Sequence, residues 1–345
     1  MGLYNMDSYN NKKHINNDFY AQWHFIDSCN LRCIHCYQDD YDYKDIDFDI
    51  LNSIFFELDA AMSKWKMKCF ISLSGGEPFL KPEGLFYLID LIEQSDNFKN
   101  IAILTNGTLI NNDTIIKLKK HKKISEIQVS LDGHNEETHD KIRGAGTFLK
   151  AIESIKRLKN AGIKTSIMFT LHDKNKDSAA NMPKLAASLN IDMLTVERMT
   201  TMTKTEEQDF FIEASELKTI YSNVYNEAKK EFSNKDTELS TSRPLWNLID
   251  ENLGGYCPVG FSSICILHDG TLLPCRRLYL PIGNILTDGL FKVWYNSDIL
   301  WQMRKKNDKS ECFVCSHSER CGGCKAISYY HNNQDLSSKD PQCWI

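Results

Sequence analysis

What the sequence lacks narrows it first. No apolar run reaches the roughly 18 residues that a membrane span needs. Met1 to Asp18 is polar and Asn-rich, without the apolar core of a signal peptide. Both absences predict a cytoplasmic protein with no membrane partner. A basic excess is missing too: the formal net charge is -5 and the pI is near 6.1, which leaves no positive stripe for nucleic acid. No repeat of solenoid type recurs along the chain.

The compartment decides how the 12 cysteines are read. A reducing cytosol excludes a disulfide framework, so clustered spacings there point to metal or catalysis. Three thiols stand at 29, 33 and 36, Cys69 is alone, and eight fall between Cys257 and Cys343. The distribution suggests two metal-bearing regions separated by a metal-free core. With 345 residues, 42% of them hydrophobic, the chain can bury one large α/β unit and a smaller appended module.

Short runs rich in Ile, Val, Leu, Phe or Thr predict strands at 22–26, 69–73, 101–104, 126–131, 164–170 and 192–196. Between them Ile50, Ile54, Leu58, Ala61 and Trp65 recur at helical spacing, as do Phe148, Ala151, Ile152, Ile155 and Leu158. Thr147 is the expected N-cap of the second helix and Gly162 its stop; Pro82 and Asp177 mark two further helix starts. Six strand-helix units argue for an α/β fold with a parallel sheet, a partial (β/α)6 TIM-like barrel, followed by a small Cys-rich C-terminal α+β domain. The expected divisions are 1–20 (polar extension), 21–200 (barrel), 201–255 (helical bridge and linker) and 256–345 (cysteine module). In the bridge, 207–232 reads as one long helix with Phe210 and Phe211 on its apolar side, and 233–243 as a linker. Beyond Gly254 helical signals fade.

The stretch from Cys29 to Tyr37 packs three thiols into eight residues just after the first strand. Three thiolates so close take three corners of an iron-sulfur cube and leave one iron open. Structural zinc wants a fourth ligand in a closed tetrahedron, and none stands nearby. On CxxxCxxC the chain resembles the radical S-adenosylmethionine (SAM) enzymes. That resemblance implies that Cys29, Cys33 and Cys36 hold a 4Fe-4S cluster whose open iron takes the methionine part of SAM. His35, before the last cysteine, takes the place of an aromatic residue near the adenine. Ser74 to Pro78 (SGGEP) matches the segment that meets the methionine amino group, through Gly75, Gly76 and Glu77. Ser130 and Asp132 match the ribose contacts, and Arg143 the group facing the methionine carboxylate. A planar guanidinium suits that last task. Thr105-Asn106-Gly107 is expected to border the pocket.

The C-terminal spacing, Cys312-x2-Cys315-x5-Cys321-x2-Cys324, is similar to the SPASM domain of auxiliary clusters, with its last interval one residue shorter than the family's run. The resemblance implies three 4Fe-4S clusters in all: one auxiliary cluster at Cys257, Cys265, Cys275 and Cys324, a second at Cys312, Cys315, Cys321 and Cys343. Cys265, on a strand-like segment, is the member that a core thiol would equally explain, and Cys69 is expected to be core. Zinc-ribbon sites, and with them a metal-binding scaffold rather than an enzyme, are the alternative.

Most members of the subfamily modify peptides, by crosslinking, epimerisation or oxidation, and the resemblance implies a peptide substrate and an electron donor such as ferredoxin or flavodoxin. Sulfatase-maturing relatives carry an Asp after the cysteine equivalent to Cys275. Here Arg276 and Arg277 follow, which argues against that activity; they are candidate partners for acidic substrate groups, and Asp269 or His24 is a candidate proton acceptor. Haem or cofactor precursors stay open as targets. Some twenty residues before the first strand are too few for a leader-recognition domain, so a leader, where the substrate has one, is expected to be recognised by a separate leader-recognition protein or by the barrel itself. Trp246, Trp294 and Trp301 are expected to be core.

Overall fold

Along β1 (Asp18–Ile26), Phe19, Ala21, Trp23 and Phe25 are buried against one side, while Tyr20, Gln22 and His24 face the other, as alternate residues of a strand must. Parallel pairing passes this alternation in register to β2 (Lys68–Gly75), β3 (Phe98–Thr105), β4 (Ile124–Ser130), β5 (Thr165–Leu171) and β6 (Met193–Arg198). One face of the sheet is thereby apolar: Ile71, Leu73, Ile101, Ile103, Ile127, Val129, Ile167, Phe169, Leu194 and Val196 are almost wholly buried. The other carries Ser72, Ser74, Glu126, Gln128, Ser130, Ser166, Thr170, Thr195 and Glu197.

Helices cover the apolar face: α1 (Phe48–Trp65), α2 (Pro82–Gln94), α3 (Asn112–Leu118), α4 (Glu136–Arg143), α5 (Thr147–Asn160) and α6 (Met182–Ser188). Phe19 meets Trp65 of α1 with ring centroids 5.4 Å apart, and Phe55 stacks on Phe98 at 5.6 Å. Each large apolar side chain buried this way contributes about 1.5–3 kcal/mol. A closed eight-unit barrel fills its interior with branched residues. Here the inner face is polar and partly accessible, so it is a lumen. No helix among the described residues is long and apolar enough to cross a membrane.

The computed structural model describes residues 18–38, 45–202, 209–255, 257–305, 311–312, 314–318 and 320–345. Within them the sheet continues past both barrel edges. β7 (Glu238–Ser240) pairs in parallel with β6, inside what the sequence presents as a linker. β8 (Ser263–Ile266) pairs in parallel with β1, and β9 (Thr271–Leu273) and β10 (Gly283–Asn284) follow antiparallel. The order is β10-β9-β8-β1-β2-β3-β4-β5-β6-β7. All six expected strands are present, each extended or shifted by a few residues.

Several local expectations are corrected. Thr147 is the first residue of α5 rather than its cap. Asp140 does the capping, its carboxylate accepting from Gly146 N at 2.5 Å and Phe148 N at 2.8 Å. Asp177 lies inside a 3-10 segment, Asp173–Asn181, which precedes α6. The long helix α7 (Ala214–Glu231) starts later than its apolar pattern suggests, because Glu213 is extended; Phe210 is buried from outside the helix, and 207–208 lie outside the described residues. Helices do form beyond Gly254, at Ile285–Asp288, Leu290–Asn296, Asp298–Arg304 and Lys325–His331. Trp246 and Trp294 are core, as is Cys69, whereas Trp301 is 37% exposed.

Candidate functional site

The loop after β1 brings Cys29, Cys33 and Cys36 to the C-terminal mouth of the barrel, and its neighbours fix its path. Gly76 N donates to Ile26 O at 2.8 Å and Glu77 N to Ser28 O at 2.9 Å, so β1–β2 pairing runs on into the cysteine loop. A Cβ at Gly75 would stand 1.8 Å from Ile26 O, and one at Gly76 2.1 Å from Ser28 O. The backbone these glycines admit is thus that of the cysteine loop itself. Glu77 is wholly buried. It accepts from Phe79 N (3.0 Å), Thr105 Oγ1 (2.7 Å) and Asn106 N (2.8 Å), which ties the ends of β2 and β3 together. Asn106 in turn donates to Asn30 Oδ1 at 2.9 Å and lies 4.0 Å from Cys29 Sγ.

From the other side, Ile34 N donates to Ile142 O of α4 at 3.0 Å. Asp132, with no exposed surface, is the hub there. Its Oδ2 accepts from Arg143 Nε at 2.5 Å and lies 3.4 Å from His35 Nε2; its Oδ1 accepts from Thr170 N at 2.8 Å. Arg143 Nη1 reaches to 3.8 Å from Cys33 Sγ. Although burial opposes ionisation, the Arg143 guanidinium and the hydrogen bonds hold the Asp132 carboxyl down at about 2. Burial, opposed by Asp132, pushes His35 down to about 3, so its ring is neutral. The neutral ring turns Nε2 toward Asp132 and leaves Nδ1 buried and unpartnered. Ser130 lies two residues before Asp132 on the inner face of β4. Asp132, expected at the ribose, is engaged by three protein groups and anchors Arg143.

These residues fit an iron-sulfur group with an anionic, hydrogen-bonding ligand. Burial pushes the Cys29 thiol up to about 11 and raises Cys33 as well, so both ionise at neutral pH only against a metal cation. Arg143 Nη1 donates toward Cys33 Sγ, and His35 Nδ1 is a buried polar atom that no described residue completes.

The C-terminal cysteines gather in two places. Cys257 is within electrostatic reach of Cys275 and Cys324. Cys265, 1% exposed inside β8, senses Arg276 and Cys275. Cys312, Cys315, Cys321 and Cys343 line one small cavity together with His317 and Asp340. Because β8 pairs with β1, Cys265 stands beside Gln22; the two cysteine-rich regions adjoin, where the sequence suggests a core between them.

Sequence reasoning did not find the charged network behind this module. Arg198, at the end of β6, makes a bidentate pair with Asp340 at 3.0 and 2.8 Å. Asp340 also accepts from Cys324 N at 2.8 Å. Arg277 and Arg243 both pair with Glu197, at 3.0 and 2.8 Å. Arg277 is therefore an internal partner, not a free charge. Asp269 is held in its own turn by Thr271, while His24 is buried. A cationic residue next to a cysteine was the one available signal, and it did not say which Arg turns inward.

Residues 23–186 match the radical SAM superfamily, and residues 257–324 match SPASM, an iron-sulfur cluster-binding domain. The chain belongs to the radical SAM superfamily and carries a SPASM domain; it is an enzyme of SAM-dependent radical chemistry. It is similar to the mycofactocin maturase MftC of Mycobacterium ulcerans, at 27% identity over 93% of this chain and 86% of the relative. The AdoMet-dependent heme synthase of Methanosarcina barkeri is 24% identical over 93% of this chain and 95% of its own. The antilisterial bacteriocin subtilosin biosynthesis protein AlbA of Bacillus subtilis is 25% identical over 88% and 66%. In fold, native anSMEcpe with bound AdoMet superposes with a TM-score of 0.77 at 18% identity, covering 94% of each chain.

Proposed function

We propose that this enzyme modifies a ribosomally made peptide, by crosslinking, epimerisation or oxidation, from a cytoplasmic location. The observation that carries the reading is the convergence of Cys33, Arg143, Asp132 and His35 at the mouth of a polar barrel lumen, together with the maturase and bacteriocin relatives. Cys29, Cys33 and Cys36 hold one 4Fe-4S cluster. Arg143, locked by Asp132, faces the methionine carboxylate; Gly75, Gly76 and Glu77 shape the amino end; Ser130 lies toward the ribose and His35 toward the adenine. Held by these cysteines, the cluster would supply one electron for cleavage of SAM to methionine and a 5′-deoxyadenosyl radical able to take hydrogen from the substrate.

Two auxiliary 4Fe-4S clusters complete a set of three, one at Cys257, Cys275, Cys324 and Cys265, one at Cys312, Cys315, Cys321 and Cys343. A ferredoxin or flavodoxin delivers the electron, and a separate protein presents the peptide's leader. A second reading, modification of a tetrapyrrole, is favoured by the heme synthase relative.

The test is anaerobic reconstitution with iron and sulfide, then dithionite and SAM. 5′-Deoxyadenosine is expected, with the Cys33→Ala variant inactive; no product from the wild-type chain overturns the enzyme reading. Coexpression with short peptides encoded beside the gene should give a mass change. If only an iron-coproporphyrin is altered, the second reading replaces the first.

A further inference from the structure

Arg276 is 9% exposed, and its Nε and Nη1 are buried without a hydrogen-bond partner. Among the described residues it forms no ion pair, in contrast to Arg277 beside it, which pairs with Glu197. Its guanidinium sits over the Tyr37 ring, with Cζ 3.9 Å from the centroid, and Tyr37 directly follows Cys36. The His24 and Tyr37 rings are 6.3 Å apart, and His24 Nε2 is likewise buried and unpartnered. His24 belongs to the inner row of β1 with Tyr20 and Gln22, in register with Ser74 of β2. The three side chains therefore meet where the lumen reaches the cysteine loop.

A ring face offers a guanidinium electrostatic attraction but no acceptor for its N–H groups. Holding a charge out of water is costly unless it is paired and hydrogen-bonded. A planar guanidinium with unpartnered N–H groups is suited to take a carboxylate. The neighbouring His24 does not compete for that place: burial lowers it well below its ordinary value, so it carries no charge there.

We propose that Arg276, seated over the Tyr37 ring with His24 alongside, holds a carboxylate of the substrate at the inner mouth of the barrel. The inference rests on the peptide reading and narrows it: the modified residue lies close to an acidic side chain or to a free C-terminus. Arg276 is then a specificity-determining residue, and replacing it changes which substrates bind.

The test needs no turnover. Saturation-transfer NMR on the reconstituted, unreduced enzyme with SAM compares four probes: N-acetyl-Gly-Gly as free acid and as amide, and N-acetyl-Glu-amide against N-acetyl-Gln-amide. The acids are expected to give at least threefold more transfer than their amides. Arg276→Gln should abolish the difference and Arg276→Lys should retain part of it, with iron content and melting checked for each. Which acid responds names the source, terminus or side chain. Coproporphyrin III against its tetramethyl ester forms a third pair. A response confined to it leaves Arg276 as a carboxylate holder and moves the failure to the peptide reading.

Equal signals from every acid and its neutral partner in the wild type overturn the proposal; such equality is expected if an internal carboxylate, as from the acidic run just beyond Tyr37, fills the place. It is overturned equally if Arg276→Gln leaves the acid-over-amide difference intact while shifting a cluster's reduction potential. Arg276 would then be a counter-charge for the cluster. Should Arg276→Gln fail to fold, the wild-type comparison and Arg276→Lys decide.

Discussion

At the scale of single residues, the site works by burying charge in pairs. Arg143 keeps its direction because Asp132 takes Nε while Nη1 donates toward Cys33 Sγ. Arg143→Lys retains the charge and loses the fork. A charge-assisted hydrogen bond is worth about 1.5–3 kcal/mol, so the Kd for SAM should rise roughly 10- to 100-fold with iron content near wild type. Calorimetric titration of the unreduced protein measures it, and an unchanged Kd would remove Arg143 from the SAM site. Arg143 and Asp132 are separately legible in the sequence, through the resemblance. Their mutual contact is not, because it joins the end of β4 to the end of α4 across a turn.

At the scale of elements, a glycine pair makes the join between two strands. The SGGEP segment reads as a Gly-rich turn near a ligand; the tertiary structure shows that its first contact is the backbone at 26–28. Gly76→Ala should therefore act on the cysteine loop. Fewer irons per chain are expected after reconstitution, with a parallel fall in 5′-deoxyadenosine, although no cysteine is altered. Full iron loading in that variant would show that the loop can shift without consequence. The strand pattern itself was readable from β-branched and aromatic runs. β7 escaped, since a segment of 3 residues gains its stability from a neighbouring edge rather than from its own periodicity.

At the scale of the whole molecule, the cysteine module and the barrel are joined by a sheet and by a buried ion pair. β8 covers the β1 edge, and Arg198 grips Asp340, which in turn holds Cys324 N. Removing one partner from a buried pair costs about 3–5 kcal/mol. Asp340→Asn should lower the melting temperature and release auxiliary iron before the iron at 29–36. Loss of both at the same rate would argue against this route of coupling. Arg198 holds the Asp340 carboxyl below its ordinary 3.8, against the opposing effect of burial. Its stabilising contribution is then complete above that unfolded value and is lost as pH falls through the lowered folded one. Melting between about pH 6 and 8 should not report it.

By itself the sequence determined the strand-helix order, the two cysteine patterns and the chemistry they announce, because periodicity and ligand spacing are local properties of a chain. Tertiary structure decided what depends on contacts between distant segments. It set the polar inner row against the apolar outer one and gave Gly76 its neighbour. It also turned Arg277 to Glu197 and left Arg276, one residue away, facing the lumen with its donors free. Burial and pairing are properties of the folded surroundings, and two adjacent arginines identical in sequence terms were separated by them.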